Sequence, residues 1–126
     1  MRSNYCIKNL LKLISLLQEN SRSGKCLEDG CSRPFLGPTT NNICYNTRVI
    51  TLYTKNGTLL SSNYTDGDED GVSSLFRVEK VEDECVTLRV LRLVNGNYIS
   101  TNNFITVNLK CICAIKCIID TVVSNL

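Results

Sequence analysis

The sequence predicts a mainly β fold, an antiparallel β-sandwich of jelly-roll-like form, with one amphipathic helix at its N-terminus. Three observations carry that expectation. Apolar and polar residues alternate through "TRVITLYT", "SLFRVEKV" and "CVTLRVLRLV", the period of a pleated strand. Two Asn-Gly pairs, Asn56-Gly57 and Asn95-Gly96, punctuate these runs, and that dipeptide supplies the positive φ angles of tight hairpin turns. A helical period is confined to the N-terminal stretch, where Ile7, Leu10, Leu11, Ile14 and Leu17 recur with Lys8, Lys12, Ser15 and Glu19 opposite.

Taken in order, residues 1–22 read as a helical arm with Ser3 or Asn4 as its N-cap. Leu13 and Leu16 widen its apolar stripe beyond one contact face, enough to meet the domain on one side and a neighbour on the other, although from the helix alone a simple lid on a sheet is the favoured reading. Residues 23–46 turn to Ser, Gly, Asn and Thr, hold both prolines of the chain, and read as a loop bearing Cys26, Cys31 and Cys44. Residues 47–126 are the sandwich. Its first strand is "TRVITLYT", followed by the Asn-Gly turn and "TLL"; "SLFRVEKV" puts Phe76 and Val78 on one face and Arg77 and Glu79 on the other. In "LRVLRLV" both faces are apolar, with Leu88, Val90 and Val94 opposed to Leu91 and Leu93, so this strand needs cover outside, from the helix or from another subunit. The chain ends in the Cys-rich CxCx3C segment. As a strand it sets Cys111, Cys113, Ile115 and Cys117 on one side; from Ile115 onward a helical stripe fits equally well, with the CxC pair in the strand under both readings.

Composition narrows the function. Fourteen basic and twelve acidic residues leave a net charge of +2, and eight aromatics accompany them. That is neither a phosphate-binding surface nor a base-stacking platform, so nucleic acid is not an expected partner. Eight of the acids fall between Asp66 and Glu84, and seven of the bases within the first 48 residues. There is no histidine, which removes the usual general base and every mixed Cys/His zinc arrangement. Catalysis is not expected. No segment reaches the ~20 apolar residues that span a bilayer, and "LLKLISLL", interrupted by Lys12, lacks the cleavage site of a secretory signal.

Two motifs invite chemistry. "DGDEDG" places Asp66, Asp68, Asp70 and Gly71 like the opening of a calcium loop, but the position of the closing glutamate is Arg77. A solvated acidic hairpin tip is the competing reading. The eight cysteines, Cys6, Cys26, Cys31, Cys44, Cys85, Cys111, Cys113 and Cys117, are many for a chain without an export signal. Their spacings contain no CxxC, so neither a zinc knuckle nor a thioredoxin-like centre is indicated. Plain buried packing competes for Cys85 and Cys113. For the set as a whole, thiols in polar loops suit a protein cross-linked after assembly.

The strings "GCSRPFLG", "TLYTKNG", "LFRVEKVEDECVTLRVL" and "STNNFITVNLKCICAIKC" resemble the spore-coat and exosporium proteins of the CotY, CotZ and ExsY type, from about Cys6 to Cys117. The resemblance implies a structural, self-assembling subunit of the endospore's outer layers, made in the mother-cell cytoplasm. Its partners would be copies of itself, in a lattice or ring reinforced by disulfides, and other coat or exosporium proteins, with no cofactor. Cys31, Cys85, Cys111, Cys113 and Cys117 coincide with the family's cysteines, and Cys6 and Cys26 are placed similarly. Phe104 stands where relatives carry a cysteine, and the turn at Asn95-Gly96 replaces a longer insert. The rival expectations are a small metal-binding module, with calcium at the acidic loop or zinc at cysteines, and a secreted, internally disulfide-bonded monomer.

Overall fold

Burying a helix stripe and the inner faces of several strands in one place requires a sheet that wraps around the helix. The computed structural model describes residues 5–22, 45–124 and 126. It contains one helix, α1 (Tyr5–Arg22), and seven strands: β1 (Thr47–Thr54), β2 (Ser62–Asp66), β3 (Glu69–Ser73), β4 (Leu75–Glu82), β5 (Cys85–Val94), β6 (Asn97–Asn108) and β7 (Ile112–Thr121). A 3₁₀ turn, Leu109–Cys111, joins β6 to β7. Among the described residues all strand pairing is antiparallel, in a five-stranded sheet of order β6-β5-β4-β1-β7 and a separate β2–β3 hairpin.

The strand order forces curvature. β6 and β7 are the two outer strands, yet the chain passes from Asn108 to Ile112 in four Cα steps, which cover at most ~15 Å. Five strands lying flat would hold their outer edges ~19 Å apart. The sheet therefore curls into a sandwich-like shape: β6 and β7 do not pair with each other, and inside the sheet a seam opens between β1 and β4, where pairing shrinks to Ile50↔Phe76. Single extra residues bend the strands: Glu79 in β4, and Ile118 and Cys113 in β7. In β6 the segment 101–103 stands opposite Val90 alone.

α1 fills the seam. Leu11 and Ile14 are fully buried against Ile50, Leu52, Phe76 and Val78. Gln18 continues the same stripe and is itself buried. Its Oε1 accepts from the Arg48 backbone N–H at 3.0 Å and its Nε2 donates to the Val78 carbonyl at 2.8 Å. Extending the Ile50↔Phe76 register by two residues would make Arg48 and Val78 partners. The glutamine amide thus takes the place of the ladder bonds lost where the strands part.

Two other amides do similar work. Asn46 Oδ1 accepts from Val123 N–H and its Nδ2 donates to Val123 O, prolonging the β1–β7 pairing past its last rung. Asn103, thrown outward by the β6 bulge, accepts from Thr65 N–H and donates to Thr65 O, fastening the β2–β3 hairpin to β6.

Among the described residues, charge is buried only in pairs. Arg48 and Asp120 are register partners across β1 and β7 and form a bidentate contact at 2.6 and 2.9 Å, with both side chains nearly inaccessible. Arg77 and Arg89 face each other across β4 and β5, and the bulged Glu79 accepts from both with one carboxylate oxygen. Without it two like charges would stand directly opposed.

Several expectations are met and several corrected. The helix, the antiparallel strands and the sandwich-like shape stand as expected. Asn95 and Gly96, with φ of 52° and 81°, make the hairpin turn between β5 and β6. The turn at Asn56-Gly57 returns "TLL" along the end of β1 that β4 leaves free, with one bridge, Tyr53↔Leu59, flanked by bonds from Thr54 N–H to Thr58 O and from Leu60 N–H to Leu52 O, and no full strand follows it. The outer face of β5 at Leu91 is covered by Val49 of β1 and by Val123 near the C-terminus, while α1 lies on the other face. Past Ile115 the chain stays a strand to Thr121, its helical stripe overridden by pairing with β1. The N-cap residues Ser3 and Asn4 lie outside the described residues.

Replacing Gln18 by Ala leaves two buried backbone groups unpaired and lowers unfolding free energy by ~2–4 kcal/mol, read from urea denaturation. A β-carbon on Gly71 would stand 2.5 Å from the Tyr64 hydroxyl on the facing strand. Gly71→Ala therefore costs ~1–3 kcal/mol, visible as a lowered thermal midpoint.

Candidate assembly surface and its thiols

The end of the sandwich at the 3₁₀ turn is built from alternating anchors and exposed thiols. Leu109 and Ile112 are buried and tie the turn to the core. Between and beyond them Cys111 and Cys113 face solvent. Asn108 caps the turn by accepting from Lys110 N–H, and Leu109 N–H donates to Glu84 O at 2.7 Å, joining this turn to the one between β4 and β5. That second turn has Asp83 at φ 43° and delivers Cys85, also exposed, to the first rung of β5, opposite Glu82 and Asn108. Lys55 N–H donates to Cys111 O, and the Cys113 Sγ–H donates to Thr54 O at 2.8 Å, which brings the end of β1 to the same rim.

Cys85, Cys111 and Cys113 are therefore free and accessible on one rim, each held by ordered backbone. Cys6, on the first turn and a half of α1, is likewise exposed and free. Cys117 differs: it is half-buried against the main core and disulfide-bonded. Cys26, Cys31 and Cys44 lie outside the described residues.

This placement corrects two readings. Only half of the CxC pair is in a strand: Cys111 belongs to the 3₁₀ turn, while Cys113 lies in β7 as the extra residue of a bulge opposite Tyr53 and Thr54. The single-sided thiol ladder is broken there, since burial of Leu109 and Ile112 sets the local phase instead of alternation. Nor are Cys85 and Cys113 packing residues, because both are exposed.

The acidic stretch forms the tip of the β2–β3 hairpin, with Gly67 at φ 67° in the turn. Asp66 and Glu69 are register partners directed at Arg92, whose Nη1 donates to Asp66 Oδ2 at 2.8 Å. That hydrogen bond, helped by the charges of Tyr64, Asp66 and Glu69 and opposed by burial, raises the Arg92 pKa above its ordinary value. Arg92 also lies over the Tyr64 ring, 5.8 Å from its centroid. Among the described residues no three acids or cysteines gather as metal ligands would.

Apolar side chains remain on the outside. Leu13 and Leu16 on α1, Leu93 on β5, Val72 on β3, and Val122 near the C-terminus are exposed. No described helix is long and apolar enough to cross a membrane. Gln18 was missed as a structural residue by sequence reasoning, although its place in the series Ile7, Leu11, Ile14, Gln18 marked it as facing inward.

No curated protein and no solved structure matches the chain. The profile of the family described as spore coat protein Z matches residues 1–98, from α1 to the second residue of β6. With most of its length matched, the chain belongs to the spore coat protein Z family, structural proteins of the spore's surface layers.

Proposed function

We propose that this chain is a non-catalytic building subunit that associates with copies of itself and with other coat and exosporium proteins, and that its accessible thiols then make the contacts covalent. The observation that supports this most is the state of the cysteines: four of the five described are exposed and free, three of them on one rigid rim. A free surface thiol is a liability in a protein that stays alone. In a coat subunit it is a joining point. Two such thiols on neighbouring copies lose two protons and two electrons to an oxidant such as molecular oxygen and form one disulfide. The bond then acts mainly on the rate of dissociation, which needs a reductant.

Cys6, Cys85, Cys111 and Cys113 are the intersubunit candidates. Cys117, already bonded, serves the subunit's own fold. Non-covalent contact comes first, through the exposed apolar side chains and the outer edges of β6 and β7. The rival calcium reading loses Asp66, which Arg92 already engages.

Iodoacetamide applied to the native protein without reductant should alkylate Cys6, Cys85, Cys111 and Cys113, and Cys117 only after reduction, as read by peptide mass spectrometry. On non-reducing electrophoresis the oxidised protein should run as a ladder that collapses with thiol reductant. Serine at Cys6, Cys85, Cys111 and Cys113 together should remove most of the ladder while electron microscopy still finds non-covalent assemblies. A monomer that stays monodisperse under oxidising conditions, at high concentration, would sink the proposal.

A further inference from the structure

The outward face of α1 carries a second pattern, separate from the stripe that fills the seam. Leu13 and Leu16 are 42% and 56% exposed, on a helix whose Leu11 and Ile14 are fully buried. Counting in heptads from them, with Leu13 at position a and Leu16 at position d, Cys6 falls at the preceding a. The flanking positions are then Lys12 and Glu19 on one side, both exposed, and Leu10 and Leu17 on the other, both half-buried. Among the described residues, neither Lys12 nor Glu19 has an ion-pair partner.

Such a face is self-complementary in one orientation only. In an antiparallel pair of identical helices, a packs on d, so Leu13 of each copy meets Leu16 of the other. Flanking positions then pair like with like: Lys12 of each copy faces Glu19 of the other, twice, and Leu10 faces Leu17, twice. In a parallel pair Lys12 would face the other copy's Leu17, and the charges would find no partner. We infer that α1 is a two-fold contact through which two copies of this chain associate by antiparallel pairing of their outward helix faces, with a Leu13–Leu16 centre and symmetric Lys12–Glu19 bridges on one flank.

The inference rests on the proposal that the chain self-associates, and it names one of the surfaces. It also assigns Cys6 a place. Residues 6 and 14.5, the latter being the centre of the pair, are ~13 Å apart along the axis at 1.5 Å per residue. The two Cys6 thiols of such a pair therefore stand ~26 Å apart and cannot bond to each other. They remain available to a third subunit. A contact of two leucines per helix is weak by itself, which suits a reversible first step.

The test uses the full chain with serine at Cys6, Cys85, Cys111 and Cys113, studied by sedimentation velocity over a concentration series. Leu16→Asp, on the solvent side of the helix, should leave the circular dichroism spectrum unchanged and weaken association by about tenfold or more. Lys12→Glu and Glu19→Lys should each weaken it roughly threefold to tenfold. The double variant, and an equal mixture of the two single variants, should both recover to within about twofold of the starting protein, because each restores opposite charges across the pair. If the starting protein associates and Leu16→Asp does so equally, or if neither charge combination recovers, the α1 contact is wrong while self-association stands. If the starting protein is monomeric throughout, both fail. A Cys6–Cys6 disulfide as the main product of the protein with Cys6 retained would exclude the antiparallel arrangement.

Discussion

The fold depends on how the gap between β1 and β4 is closed. The sheet curls far enough for β6 and β7 to share a three-residue link, and inside it the strands part where the pairing is reduced to Ile50↔Phe76. An open seam exposes peptide groups to a core without water to satisfy them. Leu11 and Ile14 supply apolar filling, but only Gln18 offers both a donor and an acceptor at peptide spacing. The same device recurs at Asn46 and Asn103, at two further places where regular pairing stops. Amide side chains are short peptide groups on a tether, with donor and acceptor on separate atoms at peptide spacing, which is why Asn and Gln suit these three junctions and a carboxylate, which lacks the donor, does not.

Wrapping the sheet around one helix leaves little room inside for charge, and the charges that enter arrive matched. Arg48 and Asp120 fix the register of β7 on β1, because a slip of one residue would part them and bury each alone. Glu79 reconciles Arg77 with Arg89 through a bulge that also bends β4. Seven of the other acids stand at the β2–β3 tip and the β4–β5 turn, which keeps the exposed thiols of the rim among polar neighbours such as Lys55, Glu84 and Lys110. Core and rim are thus two results of one sorting, with carbon inward and sulfur outward.

Much of this was legible in the sequence, for definite reasons. The 3.6-residue recurrence of Ile7, Leu11 and Ile14 announces α1, and Asn95-Gly96 announces its hairpin, because each signal is local and the fold agrees with it. The CxC segment misled because alternation assumes an unbroken strand. Burial of Leu109 and Ile112, three residues apart, imposes a turn and a bulge that no two-residue period contains. Single-residue bulges at Glu79 and Ile118 leave no compositional trace either. Gln18 was hidden for a different reason: a polar residue on an apolar stripe looks like the end of the stripe, and only the partner strands reveal its purpose. The family likeness was legible from about Cys6 to Cys117, and the profile match over residues 1–98 supports the part that precedes the Cys-rich end.

The position of the rim thiols has a mechanical consequence. Cys85 opens β5, and Cys113 lies one residue inside β7. A tether attached at either point and pulled outward along the strand would load its ladder bonds side by side, in shear, instead of peeling them one after another. β5 is flanked by β4 and β6 for most of its length, so force entering at Cys85 spreads at once over three strands. A shell stitched at such points would resist swelling and stretching with its sheets, and tension would reach α1 in its seam only after the strands had begun to slide.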